Sequence, residues 1–470
     1  MERIIEPGKM TVKYLGKQSV KHEKKYRPFK YIKTVSLSDG LLIYNVMTSE
    51  LLHLGNEEKN FLYEAEFCNS DVQNYLIENW FAVPEDCDDF TITKQLTELM
   101  HSINLMNKNI PIKTFTILPT TDCNARCFYC YELGGSRIKM TEQTARDVVD
   151  FIERKWDGTC AYLRWFGGEP LYNSKIIDII CNGLKEKNIT YKSSMISNAY
   201  LFNDDMINRA KKLWLLEWVQ ITLDGTESIY NKSKAYIYKD DQSPFKRVIQ
   251  NIENILESGI LVRIRLNMDD HNEKDLFDLT SYLLDNFAKF ENFSIYSHLL
   301  FEDSCARISA RADDDRHKLI ESQSKLQKFI AERKNVRFRL LKSSDRINHC
   351  MSDNDASTMI LPDGKLGKCE HYTENNFYGS IYSDEIDYGV LNKFKEVVVR
   401  DNQCKDCELR PMCVYPKMCA SKPRRCDHYD KMMLENDLEN RMKETYAFYN
   451  EKSKTGDQLK NKGIFLNKGE

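Results

Sequence analysis

The chain has 470 residues, of which 41% are hydrophobic and 30% are charged, with 68 Lys and Arg against 71 Asp and Glu. This composition is typical of a soluble globular protein with roughly two or three domains. The formal net charge of -3 gives no reason to expect binding to nucleic acid or to a membrane. Because the first residues lack the apolar core of a signal peptide, we expect a cytoplasmic protein.

The first 110 residues predict a small α+β domain. An Asp-Gly pair between two apolar runs is a strong hairpin signal. The hairpin is predicted at 34–37 and 41–46, with helices at 57–67 and 71–79 and a short apolar run at 80–83. This arrangement resembles the leader-recognition module of peptide-modifying enzymes, which implies that residues 30–85 bind a leader peptide along an exposed sheet edge. A lid or packing domain is the alternative.

A cysteine trio follows a predicted strand at 114–119. Its members, Cys123, Cys127 and Cys130, have the spacing Cys-x3-Cys-x2-Cys. In a reducing compartment such clusters indicate a metal rather than a disulfide framework. A 4Fe-4S cluster usually has four cysteine ligands, so a trio leaves one iron open unless a distant ligand joins it. A zinc knuckle or three buried thiols are the alternatives.

The same run, with Phe128 and Tyr129 before the last cysteine, resembles the signature of the radical S-adenosylmethionine (SAM) enzymes. The resemblance implies that the trio binds three irons of a 4Fe-4S cluster, while SAM chelates the fourth through its amino and carboxylate groups. It also implies that an electron from the cluster releases a 5′-deoxyadenosyl radical, and that a flavodoxin or ferredoxin supplies electrons. Tyr129 is placed at the cofactor on this resemblance.

Strand and helix patterns alternate from about residue 114 to residue 300. Such alternation predicts a parallel sheet with right-handed crossovers. We therefore predict an α/β fold with a partial (β/α)6 TIM-like barrel, the shape that the resemblance also implies. Strands are predicted at 114–119, 161–166, 194–196, 218–223, 261–266 and 293–299, and helices after Thr141 and at 174–187, 204–213, 245–258 and 273–288.

Two short motifs at predicted strand ends are candidate cofactor sites. Gly167 and Gly168 permit close backbone approach, and the Glu169 carboxylate can accept hydrogen bonds from an ammonium. The resemblance implies that this Gly-Gly-Glu-Pro run holds the methionine amino group. It also implies that Ser197 and Asn198 contact the ribose and the methionine carboxylate. An ordinary turn and a helix cap are the respective alternatives.

Two further strand ends carry polar residues. Asp224 ends the fourth strand at a position that the family uses, with a strand-ending turn as the alternative. Arg265 and Asn267 alternate with apolar residues and so share one face of the fifth strand. Burying an unpaired guanidinium is costly. Arg265 is therefore expected to meet a carboxylate, either from the cofactor or from a neighbouring side chain.

Seven cysteines lie between residues 350 and 426. Their pattern resembles the SPASM extension of peptide-modifying radical SAM enzymes, which implies two auxiliary 4Fe-4S clusters and three clusters in total. Zinc ribbons are the alternative, since Cys-x2-Cys also suits zinc. The pattern assigns Cys350, Cys369 and Cys419 to the first auxiliary cluster, and Cys404, Cys407, Cys413 and Cys426 to the second.

The first auxiliary cluster lacks an obvious fourth ligand. A substrate cysteine, Cys305, His349, His371 or water could complete it. The spacing of five residues between Cys413 and Cys419 also departs from the usual three.

The stretches 224–238 and 361–371 also resemble the bacterial branch of radical SAM/SPASM maturases that acts on small, ribosomally made precursor peptides with cysteines. This resemblance implies a peptide maturase that forms thioether bonds. Formylglycine formation in sulfatases and a non-enzymatic zinc-binding protein are the alternatives. The predicted regions are an N-terminal domain at 1–110, the radical SAM barrel at 111–310, a helical bridge at 311–345, the SPASM domain at 346–430, and a helix with a flexible tail at 431–470.

Overall fold

A computed structural model describes most of the chain. The described residues are 1–21, 23–63, 70–106, 111–130, 132, 135–238, 243–300, 313–334, 340–344, 351–370, 376–394, 405–412 and 428–454. Two large hydrophobic cores organise them, one in the N-terminal region and one in the barrel. Among the described residues, no helix is both long and apolar enough to span a membrane.

The N-terminal region contains two small antiparallel sheets and three α-helices. Its elements are β1 Glu2–Ile5, α1 Lys9–Leu15, β2 Tyr26–Pro28, β3 Ile32–Leu37, β4 Gly40–Asn45, β5 Leu51–Gly55, a 3-10 helix Glu58–Leu62, α2 Asp71–Glu78, β6 Ala82–Pro84 and α3 Asp89–Met106. One sheet has four strands in the order β1-β5-β4-β3, and the other pairs β2 with β6.

The predicted hairpin is confirmed as the pair β3 and β4, with Leu37 opposite Gly40. A side chain at Gly40 would collide with the neighbouring strand, because its Cβ would lie 2.0 Å from the Leu54 carbonyl oxygen. The helix predicted at 71–79 is α2. The helix predicted at 57–67 is a 3-10 helix at Glu58–Leu62, and residues 64–69 lie outside the described residues. Strand β5 and helix α3 were not predicted.

The barrel region begins at residue 114 and follows the predicted rhythm. Its elements are β7 Thr114–Thr120, α4 Glu142–Lys155, β8 Ala161–Gly167, a 3-10 helix Pro170–Asn173, α5 Ser174–Glu186, β9 Tyr191–Ser197, α6 Asp204–Lys212, β10 Leu216–Leu223, α7 Glu227–Lys234, α8 Pro244–Glu257, β11 Leu261–Met268, α9 Glu273–Phe287, β12 Phe293–Leu299 and α10 Asp313–Lys334. Strands β7 to β12 are parallel and lie in chain order, which confirms the predicted partial barrel.

Helix α4 shows how the sequence sets these boundaries. The Thr141 hydroxyl accepts a hydrogen bond from the Thr144 N–H at 3.1 Å, so Thr141 is the N-cap that the sequence predicted. The inward face of the helix is apolar and buried, whereas its first turn carries Glu142 and its last turn Arg154 and Lys155. Charges placed in this way also complement the helix dipole.

The C-terminal strands extend the barrel sheet. The elements are a 3-10 helix Met351–Asp353, β13 Ser357–Ile360, β14 Lys365–Gly367, β15 Phe377–Ser380, α11 Tyr388–Lys393, a 3-10 helix Arg410–Met412 and α12 His428–Lys454. Strand β13 pairs in parallel with β7, and β14 and β15 continue the sheet antiparallel. The strand that leads to the cysteine trio is therefore an interior strand of a nine-stranded sheet, paired on both sides.

The N-terminal core is completed by residues from the other end of the chain. Buried Leu341 and Leu409, together with Leu438, Met442 and Tyr446 of α12, belong to the same apolar cluster as β3, β4 and β5. By contrast, the helix α10 that was predicted as part of a bridge contributes Leu319, Ile320, Leu326 and Ile330 to the barrel core.

Candidate active site

The cysteine loop leaves the carboxyl end of β7, where active sites of parallel barrels collect. Its backbone is held by local hydrogen bonds. The Cys123 N–H donates to Asp122 Oδ1 at 2.9 Å, and the Cys130 N–H donates to the Cys127 carbonyl at 3.2 Å. The Ala125 N–H donates to Cys123 Sγ at 3.3 Å. The loop therefore positions its first thiol through its own backbone.

Gly167 and Gly168 bring the end of β8 against this loop. A Cβ at Gly167 would lie 2.2 Å from the Thr120 carbonyl oxygen, and one at Gly168 would lie 2.3 Å from that of Asp122. The Glu169 N–H donates to the Asp122 carbonyl at 3.0 Å. The close approach that glycine permits here is thus to the backbone of the cysteine loop, which brings Glu169 beside the thiols.

Glu169 is completely buried and is held by three donors. Its Oε1 accepts from Ser197 Oγ at 2.9 Å and from the Leu171 N–H at 3.1 Å, and its Oε2 accepts from the Asn198 N–H at 2.8 Å. Burial raises the pKa of this carboxyl to about 7, although the three hydrogen bonds oppose the shift. A nearby cation would favour its ionised form.

Asn198 connects this carboxylate to the cysteine loop. Its Nδ2 lies 3.7 Å from Cys123 Sγ and donates to Asn124 Oδ1 at 2.6 Å. Among the described residues, buried Asn124 Nδ2 has no hydrogen-bond partner. No role was predicted for Asn124 from the sequence, because an asparagine inside a loop is ordinarily a turn residue.

The partly buried thiols of Cys123 and Cys127 are hard to ionise in the metal-free protein. Burial raises the pKa of Cys123 to about 12, and the neighbouring Glu169 carboxylate adds to that shift. Burial also raises the pKa of Cys127, and the Lys234 ammonium opposes this change. Since metal-binding cysteines are thiolates, binding of iron here would release protons.

These observations fit a bound 4Fe-4S cluster and SAM. Three thiols on one loop match the donor set of a site-differentiated cluster. Buried Glu169 offers a carboxylate for an ammonium, and the unpartnered amide nitrogen of Asn124 offers a hydrogen-bond donor beside Cys123.

Tyr129 and Asp224 contact Lys234, a residue for which the sequence predicted no role. The Tyr129 hydroxyl lies 2.8 and 2.9 Å from the two carboxylate oxygens of Asp224, and Lys234 Nζ lies 2.7 Å from that hydroxyl. Lys234 is the last residue of α7, a short helix in a polar stretch that was not predicted. A lysine in such a stretch carries no sequence signal of burial.

Arg265 shares a face with Asn267, as predicted, and its Nε donates to Asn267 Oδ1 at 3.0 Å. This hydrogen bond is to an amide oxygen rather than to the side-chain carboxylate that was one predicted partner. The other predicted partner, the carboxylate of the cofactor, stays a prediction.

Of the C-terminal cysteines, the structure describes Cys369 and Cys407. Cys369 follows β14 and packs against the barrel core, whereas Cys407 packs against the N-terminal core. The predicted ligands Cys350, Cys404, Cys413, Cys419 and Cys426, and the candidate fourth ligands Cys305, His349 and His371, lie outside the described residues.

Comparison with known proteins identifies the barrel. Residues 117–283, which include the cysteine trio, match the model of the Radical SAM superfamily. The chain contains a radical SAM domain, the catalytic domain of radical SAM enzymes. The domain is 26% identical over 170 residues to GTP 3',8-cyclase of Clostridium perfringens, a match that spans 36% of this chain and 50% of the cyclase. Radical SAM cyclopropyl synthase TigE of Paramaledivibacter caminithermalis is 23% identical over 312 residues, which span 56% of this chain and 62% of TigE.

Solved structures show the same fold. A structure of anSMEcpe with bound AdoMet and the Cp18Cys peptide has a TM-score of 0.54 and 16% identity, and the match covers 73% of this chain and 100% of that one. Streptococcus suis SuiB bound to precursor peptide SuiA has a TM-score of 0.51 and 14% identity, with coverage of 84% and 96%. At these identities the likeness concerns the fold alone.

Proposed function

We propose that this chain is a radical SAM peptide maturase that forms thioether bonds within a ribosomally made, cysteine-containing precursor peptide. The observation that carries the proposal is the convergence of Cys123, Glu169 and Asn198 at the carboxyl ends of three adjacent parallel strands. When bound there, a 4Fe-4S cluster and SAM supply a 5′-deoxyadenosyl radical able to abstract a hydrogen atom from the peptide.

The protein residues have separate roles in this proposal. Cys123, Cys127 and Cys130 bind three irons. The free lone pair of the Glu169 carboxylate, which already accepts three hydrogen bonds, accepts one from the methionine ammonium. Asn198 contacts the methionine carboxylate and, with Ser197, fixes the orientation of Glu169.

Two auxiliary clusters complete the proposed enzyme. Their ligands are Cys350, Cys369 and Cys419 for the first, and Cys404, Cys407, Cys413 and Cys426 for the second. The separate placement of Cys369 on the barrel core and of Cys407 on the N-terminal core supports their assignment to different clusters. Three 4Fe-4S clusters correspond to about twelve irons per chain, against about two or three zinc ions for zinc ribbons.

The N-terminal sheet is the proposed site for the leader of the precursor. Strands β1 and β3 are the two edges of the four-stranded sheet, and an extended peptide can add to such an edge through backbone hydrogen bonds. SuiB was solved with its precursor peptide, which makes a peptide substrate a natural proposal for a chain with this fold.

The direct test is coexpression with a short cysteine-containing peptide encoded beside the gene, followed by mass spectrometry of the peptide. Each thioether joins a sulfur to a carbon and removes two hydrogen atoms, so the mass falls by that amount per bond. A peptide with Cys replaced by Ser serves as the control and should stay unmodified. Unchanged mass of the Cys peptide, with SAM cleavage intact, would contradict thioether formation.

Formylglycine formation is the second candidate. It is favoured by the match to anSMEcpe, which covers 100% of that chain. The same spectra separate the two reactions, because formylglycine replaces the cysteine sulfur by oxygen and removes two hydrogens. The aldehyde of formylglycine can also be trapped with a hydrazine probe, whereas a thioether does not react with it.

A further inference from the structure

A buried ion pair lies directly beside the cysteine loop. Lys234 Nζ is 3.0 Å from Asp224 Oδ2, and the two residues are 3% and 1% exposed. Removing two charges from water is costly, so such a pair is weak evidence for a role in stability alone. On a six-stranded barrel with a large apolar core, the pair therefore calls for another explanation.

The third member of this group belongs to the cysteine loop itself. The hydroxyl of Tyr129, which lies between Cys127 and Cys130 in the sequence, bridges Lys234 Nζ at 2.7 Å and the Asp224 carboxylate at 2.8 Å. The ion pair is thus hydrogen-bonded to the residue between two proposed iron ligands.

The backbone after α7 makes two more bonds to the same loop. The Lys234 carbonyl accepts from the Arg126 N–H at 2.8 Å, and the Ile237 N–H donates to the Asn124 carbonyl at 2.9 Å. The segment 234–237 therefore contacts the loop at Asn124, Arg126 and Tyr129. A movement of Lys234 would move the loop that carries the thiols.

We propose that Lys234 is a positioning residue, which together with Asp224 orients the cysteine loop and sets the reduction potential of the cluster bound there. This inference rests on the proposed function, because it requires the 4Fe-4S cluster. The reduced cluster carries one more negative charge than the oxidised cluster. A buried cation beside it favours reduction, and a buried anion opposes reduction. In the pair, the effect of the Lys234 cation on the reduction potential is therefore opposed by that of the Asp224 anion.

The test is a redox titration of the full-length, anaerobically reconstituted protein without SAM, monitored by EPR. The signal of this cluster is identified as the one that changes when SAM is added and that is lost when Cys123, Cys127 and Cys130 are replaced by alanine. Lys234→Met should lower its midpoint potential, and Asp224→Asn should raise it. A tenfold change in the reduction equilibrium corresponds to about 59 mV for one electron, and shifts of at least that size are expected.

Two further variants show whether charge or shape is responsible. The double variant Asp224→Asn/Lys234→Met should return the midpoint towards the wild-type value, and Lys234→Arg should stay close to it. Arg209→Met is the matched control. It removes the positive charge of another ion pair, in which Arg209 of α6 contacts Asp178 of α5. Its midpoint should equal that of the wild type.

The outcomes separate this inference from the proposed function. A wild-type protein without a SAM-responsive cluster signal contradicts the proposed function itself. A normal signal with unchanged midpoints in Lys234→Met and Asp224→Asn, or with shifts in the same direction, overturns the role of the pair. If Lys234→Met fails to retain iron, the midpoint of Asp224→Asn decides alone, and an unchanged value overturns the inference.

Discussion

The two cores of this protein are assembled in different ways. The barrel core is built from neighbours in the chain, since each of the strands β7 to β12 lies beside the next one. The N-terminal core instead joins strands from the first 55 residues to Leu341, Leu409, Leu438 and Met442. The first core is mainly local, although residues of β13 to β15 and α11 join it, and the second depends on the two ends of the chain meeting.

The difference matters for the site. The cysteine trio, Glu169 and Asn198 follow the adjacent strands β7, β8 and β9, so their geometry depends mainly on neighbouring β/α units. The distant strand β13 supports only the other side of β7. Cys407, in contrast, packs on the core that joins both ends of the chain. We therefore expect damage to the N-terminal core to disturb the proposed peptide binding and the proposed second auxiliary cluster before it disturbs the barrel site.

Gly168→Ala should have the largest effect on the barrel site. The added Cβ would lie 2.3 Å from the Asp122 carbonyl oxygen and 2.8 Å from that of Thr121, so the cysteine loop must move. We expect loss of the SAM-responsive cluster signal and of about four irons per chain, since one cluster is affected. Iron analysis and EPR after anaerobic reconstitution measure both.

Gly55→Ala is the control for the added methyl group. Its Cβ would lie 3.5 Å from Glu58 Oε2, an ordinary contact in the N-terminal sheet. Full iron content in Gly168→Ala would show that the contact between β8 and the cysteine loop is not required.

Leu438→Ala should destabilise the N-terminal core and leave the barrel core intact. Leu438 is completely buried in the N-terminal core, and such a substitution costs about 2–5 kcal/mol. Hydrogen exchange should accelerate in β3 and β4 while β8 and β9 keep their protection. Leu279→Ala, in the equally buried barrel helix α9, should give the reverse pattern. Equal loss of protection in both regions would contradict independent cores.

Glu169→Gln should change how SAM binding depends on pH. The pKa of the wild-type carboxyl is raised to about 7, and the methionine ammonium favours the ionised form, so binding must release a proton below that pH. Affinity should therefore rise as pH increases from about 5.5 to about 7, by at most about tenfold per unit. Glu169→Gln should bind more weakly and without this rise.

Calorimetry in two buffers with different ionisation heats counts the released protons. The measurement requires protein with its cluster in place, and Gln143→Glu on the exposed surface of α4 provides a charge-changing control. Equal proton release by wild type and Glu169→Gln would remove Glu169 from the ammonium site.

The local core was also the part that could be predicted from sequence. The helix predicted at 174–187 is Ser174–Glu186, and that predicted at 245–258 is Pro244–Glu257, because buried residues recur at helical spacing within each segment. Strand β5 was missed, because its short sequence Leu-Leu-His-Leu-Gly lacks the alternation of apolar and polar residues that is typical of a half-buried strand. Helix α12 contacts residues of the N-terminal core that lie hundreds of positions earlier in the sequence. A local sequence pattern cannot predict such contacts.

The candidate site divides in the same way. The cysteine spacing and the Gly-Gly-Glu-Pro run are short motifs, and the structure brings Cys123, Glu169, Ser197 and Asn198 together. Lys234 and Asn124 were missed, because their importance arises from burial and from partners on other strands. Burial of a lysine is visible only once α7 is packed against the cysteine loop.

The central claim is that Cys123, Cys127 and Cys130 hold the cluster that cleaves SAM. The direct measurement is 5′-deoxyadenosine production by reconstituted enzyme with dithionite and SAM, compared with the variant in which all three cysteines are alanine. Cys160→Ala, which replaces a partly exposed thiol in the loop before β8, is the control. We predict that the wild type and Cys160→Ala form 5′-deoxyadenosine and that the triple variant falls to the background without enzyme. Undiminished production by the triple variant would contradict the claim.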